Sequence, residues 1–144
     1  MELEYGYLTE ATERAAEDLN ALVRQMSRQP RPMNQQYLQR LVDSPGVLVV
    51  ARDGDRIVGC AEVVIGILPS KVKGWLEDVV VDGDYRGRGI GKKLVGMAVE
   101  YAREAGCRHL NLTSGDDRGL AHGLYESQGF KRRAAGAYRL DLES

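Results

Sequence analysis

Residues 75–94 read WLEDVVVDGDYRGRGIGKKL, and the fold follows from how this stretch is read. A β-branched run, Val79-Val80-Val81, breaks at Asp82-Gly83-Asp84, and glycines and cations then open an apolar-periodic segment. That order predicts strand, turn and helix. Gly87, Gly89 and Gly91 let the backbone pass close to a bulky partner, while Arg86, Arg88, Lys92 and Lys93 surround it with positive charge. The free N–H groups of a first helical turn, the positive end of the helix dipole and nearby cations together make an anion site, most naturally for a phosphate. The stretch is a candidate pyrophosphate cradle.

Downstream, Ile90, Leu94, Met97, Ala98, Tyr101 and Ala105 fall on one face of a helix that stops at Gly106, where a C-terminal glycine cap belongs. His109 to Thr113 predicts a strand. Ser114-Gly-Asp-Asp117 supplies capping side chains for a helix containing Leu120, Leu124 and Tyr125, closed by Gly129-Phe130. Lys131 to Leu142 predicts one more strand, or a hairpin about Ala135-Gly136.

Upstream, Arg56 to Leu68 is expected as a strand, joined through Asp53-Gly54-Asp55 to the apolar strand Val47 to Ala51. The pair reads as a hairpin with Gly59 and Gly66 as candidate bulges. Pro69 to Gly74 is expected as a loop, with Gly74 or Trp75 opening the next strand. Leu3 to Leu8 alternates as a half-exposed first strand. From Thr12, Ala15, Ala16, Leu19, Leu22, Val23 and Met26 fall at helical spacing until Pro30 and Pro32. Asn34 is the candidate cap of a second short helix carrying Tyr37, Leu38, Leu41 and Val42. The order β-α-α-β-β-β-α-β-α-β predicts a mixed α/β sandwich with helices on both faces of one sheet.

With 144 residues and 43% hydrophobic content, the chain fits one globular domain spanning residues 1–144. Its 20 basic and 21 acidic residues nearly cancel, so no net field draws it onto nucleic acid or an anionic membrane. Cys60 and Cys107 lack CxxC spacing, which predicts buried thiols in a reducing compartment rather than a disulfide or a metal site. No run approaches the roughly 18 apolar residues of a membrane span, and MELEYGYL lacks a signal-peptide pattern. The expected location is cytoplasmic.

Two familiar phosphate loops fail on spacing. A P-loop needs a glycine where Arg86 stands and a Ser or Thr where Lys93 stands. A dinucleotide fingerprint needs its third glycine where Lys92 stands, and needs it near the start of a domain. What matches is Arg86-Gly87-Arg88-Gly89-Ile90-Gly91, an R-x-x-G-x-G pattern after the acidic strand Glu77-Asp78-Val79-Val80-Val81-Asp82. This resembles the acetyl-CoA-binding motif of the GNAT N-acetyltransferase superfamily. A second anchor, Leu124-Tyr125-Glu126-Ser127-Gln128-Gly129-Phe130, is similar to that family's LYExxGF signature at the expected distance downstream.

The resemblance implies a single-domain, three-layer α/β/α sandwich with a mixed, mostly antiparallel sheet. It also implies transfer of an acetyl group from acetyl-CoA to a primary amine of a small molecule or peptide, with no metal. A non-catalytic acyl-CoA-binding or sensing module of the same fold is the alternative, and pairing of terminal strands between chains would make a homodimer. By resemblance, main-chain groups at Val79 and Val81 meet the pantetheine arm and acetyl oxygen. Arg86, Gly87, Arg88, Gly89, Ile90, Gly91 and Lys92 hold the pyrophosphate, with Arg88 or Lys93 alternatively reaching the adenosine phosphate. Tyr125 protonates the departing thiolate. His122 stands where the family often carries an Asn against the pantetheine arm, and Gln128 stands where an apolar residue is usual.

An alkyl amine is neutral in only about one molecule in a thousand or fewer at pH 7, so a base is useful. Glu77 is the candidate base or amine-orienting group. Strand alternation places it on one face with Trp75, Val79 and Val81, and places Asp78, expected to pair with an arginine, on the other. The loops bearing Arg28, Arg31 and Met33 and spanning Pro69 to Gly74 are the candidate acceptor walls.

Overall fold

The computed structural model describes residues 2–26, 31–114, 119–134 and 136–143. One sheet contains β1 (Glu4–Tyr7), β2 (Gly46–Asp53), β3 (Arg56–Ile67), β4 (Val72–Val81) and β5 (His109–Asn111), in that spatial order. The first four strands pair antiparallel and β5 joins β4 in parallel. Helices α1 (Glu13–Arg24) and α2 (Gln35–Asp43) cover one face, and α3 (Ile90–Glu104) covers the other with α4 (Gly119–Ser127) beside it. The expected three-layer α/β/α sandwich is therefore present. Among the described residues no helix is long and apolar enough to cross a membrane.

Local chemistry sets these elements. Thr12 caps α1 by accepting from the N–H of Ala15 at 3.0 Å, and Asn34 caps α2 by accepting from Tyr37 at 2.8 Å. Each helix buries its apolar stripe. Leu19, Leu22 and Leu38 pack with Leu48, Val50, Cys60 and Val80 on one side of the sheet, while Leu94, Val95 and Ala98 pack with Val49, Val58, Ala61, Val63 and Leu76 on the other. Gly106 and Gly129, at φ +83° and +97°, end α3 and α4 as their sequence predicts.

Several expectations need correction. The ladder shifts register between Ala51 and Arg52, beside Gly59, and again between Cys60 and Glu62, but not at Gly66. Gly66 instead gives room to Trp75, whose Cζ3 would lie 2.8 Å from an added Cβ. The loop expected at Pro69–Gly74 is tighter, because Leu68 N–H donates to the Lys71 carbonyl at 2.9 Å and β4 already runs from Val72. The fifth strand stops at Asn111 rather than reaching Thr113. The turn expected at Asp82-Gly83-Asp84 takes the form of a 3-10 turn, Gly83–Tyr85, after β4.

The last strand, expected over Lys131 to Leu142, is absent among the described residues, and Ala135 lies outside them. Tyr138, Leu140 and Leu142 alternate as a strand would, yet Tyr138 is 99% exposed. Alternation alone does not make a strand without an edge to pair with, and β5 offers only three residues. The described tail instead meets the rest of the chain through an ion pair between Glu143 and Arg31.

Candidate active site

The strand, turn and helix expected over residues 75–94 are present. Gly87 and Gly89 adopt φ +80° and +78°, in the left-handed region that disfavours side chains, and nothing lies within 4 Å of where a Cβ would stand on either. Gly89 is the N-cap of α3 without any side-chain cap, and Lys93 N–H is the first to bond back to its carbonyl, at 3.2 Å. The N–H groups of Ile90, Gly91 and Lys92 thus point out of the first turn. Arg86 Nε donates to the Val81 carbonyl at 3.2 Å. Arg88 donates to the Asp84 carbonyl at 3.4 Å and lies over the Tyr85 ring at 5.5 Å. Both guanidiniums stay on the rim. Lys93 turns away to the Tyr5 ring, 4.6 Å from its Nζ.

A network not foreseen from the sequence fixes this turn to the sheet. The buried Asp82 carboxylate accepts from the N–H of Asp84 at 2.9 Å, from Gln25 of α1 at 3.2 Å and from Arg56 of β3 at 2.9 Å. Those donors, led by the Asp84 N–H, hold Asp82 below the usual aspartate range. Gln25 also accepts from Gly83 N–H at 2.9 Å, and Tyr85 donates to Asp53 at 2.5 Å. The only sequence signal was an Asp in a strand-to-helix turn.

The strand that feeds the cradle has an open edge. Its pairing with β5 covers only Lys73, Gly74 and Trp75, so among the described residues no strand lies beside β4 from Leu76 to Val81 on that side. A bulge falls in the same stretch: Asp78 and Val79 oppose Ala61, and Asp78 takes φ +48°, the one positive value among the described non-glycine residues. Faces past the bulge are therefore inverted. Glu77 shares the α1/α2 side with Trp75, as expected, but Val79 and Val81 pack into the α3-side core.

The same bulge brings Asp78 close enough to Glu62, Glu77 and Cys60 to act on all three. Asp78 makes no ion pair among the described residues, so the expected arginine partner is not found. Burial raises Asp78 above its ordinary range, and burial together with Asp78 raises Glu77. Glu62, directly across the ladder from Glu77, is pushed up to about 8 by burial and by Asp78. Sequence reading passed over Glu62, although a lone acid in the apolar run of β3 was the available signal.

On the far side of the edge, Gly91 sits where α3, α4 and β4 converge. A Cβ there would lie 3.5 Å from Leu124 and 3.8 Å from Val81. Tyr125 is half-buried in the same core, edge-on to Phe130 with ring centroids 5.9 Å apart. His122 is half-buried on the same helix. Gln128 ties the end of α4 to the cradle by donating to the Lys92 carbonyl at 3.4 Å, which accounts for a polar residue at that corner. Of the acceptor-wall residues, Arg28 lies outside the described residues, Arg31 pairs with Glu143, and the Met33 backbone exchanges two hydrogen bonds with the Asn20 side chain. No group of three or more His, Cys, Asp or Glu among the described residues is arranged to hold a metal ion.

A strand that parts from its parallel neighbour and runs into a glycine cradle defines an α/β fold suited to a long, phosphate-bearing ligand laid along a sheet edge. The chain belongs to the acetyltransferase (GNAT) family, whose pattern matches residues 11–130. It is 39% identical over 90 residues to a glucosamine 6-phosphate N-acetyltransferase of Trypanosoma brucei brucei, covering 60% of this chain and 58% of that protein. It is 34% identical over 118 residues to an aminoglycoside N(6')-acetyltransferase of Stenotrophomonas maltophilia, covering 76% of each. Among solved structures, a Trypanosoma brucei acetyltransferase superposes with TM-score 0.78 at 31% identity, over 98% of this chain and all of that one. The chain thus spans little more than half the length of the first of these relatives.

Proposed function

We propose that this chain transfers an acetyl group from acetyl-CoA to a primary amine of a small molecule or peptide. The observation that carries the reading is continuity. One segment, residues 75–94, supplies both an unpaired strand edge and, directly after it, an uncapped helix N-terminus with two left-handed glycines. The open space over Gly87 and Gly89 fits a bulky anionic group, and the free edge fits an amide-bearing arm. Acetyl-CoA supplies the activated acyl group and a thiolate as leaving group.

The chain's own residues divide the remaining work. Backbone groups at Val79 and Val81 hold the arm. The N–H groups of Ile90, Gly91 and Lys92, with Arg86 and Arg88 on the rim, hold the pyrophosphate. Glu77 orients the amine, Tyr125 delivers a proton at the sulfur, and His122 borders the arm from α4. Two named relatives act on glucosamine 6-phosphate and on aminoglycosides, which places amino sugars first among acceptors to try.

The test is release of free thiol from acetyl-CoA in the presence of a panel of amines that includes amino sugars, diamines and short peptides. Release that depends on the amine is expected. Tight acetyl-CoA binding without release under any amine would favour a sensing module, and absence of binding would overturn the reading of the cradle.

A further inference from the structure

Glu62 lies mid-strand on the face covered by α1 and α2, 9% exposed, with no hydrogen-bond partner for its Oε2 among the described residues. A buried carboxylate oxygen without a donor is costly, and like charges directly opposite in a ladder repel. Glu62 has both disadvantages. Its partner across β4 is Glu77, with Asp78, exposed at the bulge, close enough to act on it, and its partner across β2 is the apolar Leu48. Cys60, on the same strand and face, is a thiol pushed up to about 12, so it offers no charge. From the covering helices, the buried side chains on this side are apolar, Leu22 and Leu38 among them. Three acids therefore converge at the one strained residue of the open strand.

Resting on the acetyl-transfer reading above, we propose that Glu62, Glu77 and Asp78 seat the acceptor amine in its ammonium form at the β4 bulge, and that Glu62 takes its proton. The step balances simply. An N–H bond of the ammonium breaks, its electron pair stays on nitrogen as the attacking lone pair, and the proton passes to a Glu62 carboxylate oxygen. A cation and an anion become two neutral groups. Arrival of the cation lets Glu62 ionise first, its own proton leaving to solvent past the exposed Glu77. A carboxyl held near 8 is also a far better match for an alkylammonium than an ordinary one. The bound ammonium draws that value down, yet the transfer stays less uphill than to an ordinary carboxylate, for which the gap is about six pKa units.

Carboxyl-carbon NMR of the whole chain, with Glu62 assigned by its absence in Glu62→Gln, reads this without turnover. Glucosamine and 1,4-diaminobutane are the probes. The Glu62 titration midpoint is expected to fall by a unit or more in their presence, compared with potassium chloride at equal ionic strength. In steady state, Glu62→Gln should lower kcat/KM for the amine by roughly a hundredfold and flatten its pH profile, with unchanged acetyl-CoA affinity, while Glu62→Asp recovers part of the rate. Thiol release with a Glu62 midpoint that the amine does not move, or a Glu62→Gln variant with the wild-type pH profile, overturns the proposal alone. A midpoint that moves without any acetyl transfer overturns the transfer reading and leaves the ammonium seat standing.

Discussion

Asp82 uses one carboxylate to join α1, β3 and the turn that opens the cradle. Asp82→Ala leaves Gln25, Arg56 and the Asp84 N–H without their acceptor, so a loss of about 1–3 kcal/mol is expected in urea unfolding near neutral pH. Because the folded protein holds Asp82 below its ordinary range, this contribution is present above the unfolded value and disappears as pH falls through the lower folded one. Wild type and Asp82→Asn should therefore converge in stability only once the pH has fallen below the ordinary aspartate range. Tyr125 is a different case, since its ring packs against Phe130 and a phenylalanine keeps that contact. Tyr125→Phe should lower kcat by about a hundredfold or more with acetyl-CoA affinity intact, measured by single-turnover thiol release and by equilibrium binding. At this scale the sequence was legible where the local backbone decides the residue, as at Gly87 and Gly89. It was not legible for Glu62, Asp82 and Gln25, whose significance comes from partners distant in sequence.

Among elements, the first turn of α3 depends on glycine conformation rather than on space. Gly89→Val has room for its side chain but not the backbone angle, a cost of order 1–3 kcal/mol. If bound cofactor demands that angle, KM for acetyl-CoA should rise by roughly tenfold or more while the acceptor's KM changes little; an unchanged cofactor KM would count against the cradle. Helices and most of their caps were readable because Asn34, Gly106 and Gly129 act on their immediate neighbours. The bulge at Asp78 was not. Its single extra residue reverses which side of β4 carries Val79 and Val81, and no local signal separates that stretch from a regular strand. The tail fails in the opposite way: Tyr138, Leu140 and Leu142 keep a strand's alternation with no edge to receive it.

Across the whole molecule, the layers were legible from element order and apolar spacing, because each face of the sheet needs a helical cover. Where the sheet opens was not, since it depends on β5 being three residues long. From Leu76 to Val81 the free edge should exchange amide hydrogens quickly, and saturating acetyl-CoA should slow exchange there more than in β2 or β3; equal protection everywhere would argue against the arm lying on this edge. An uncovered strand edge is also where foreign chains add and aggregates begin. Here the exposed stretch is kinked by a bulge and bears the adjacent acids Glu77 and Asp78, and it ends in a cationic turn. A flat peptide strand would meet a kink and two adjacent carboxylates there, so the shape proposed to receive a slender, flexible arm also disfavours pairing with a second chain.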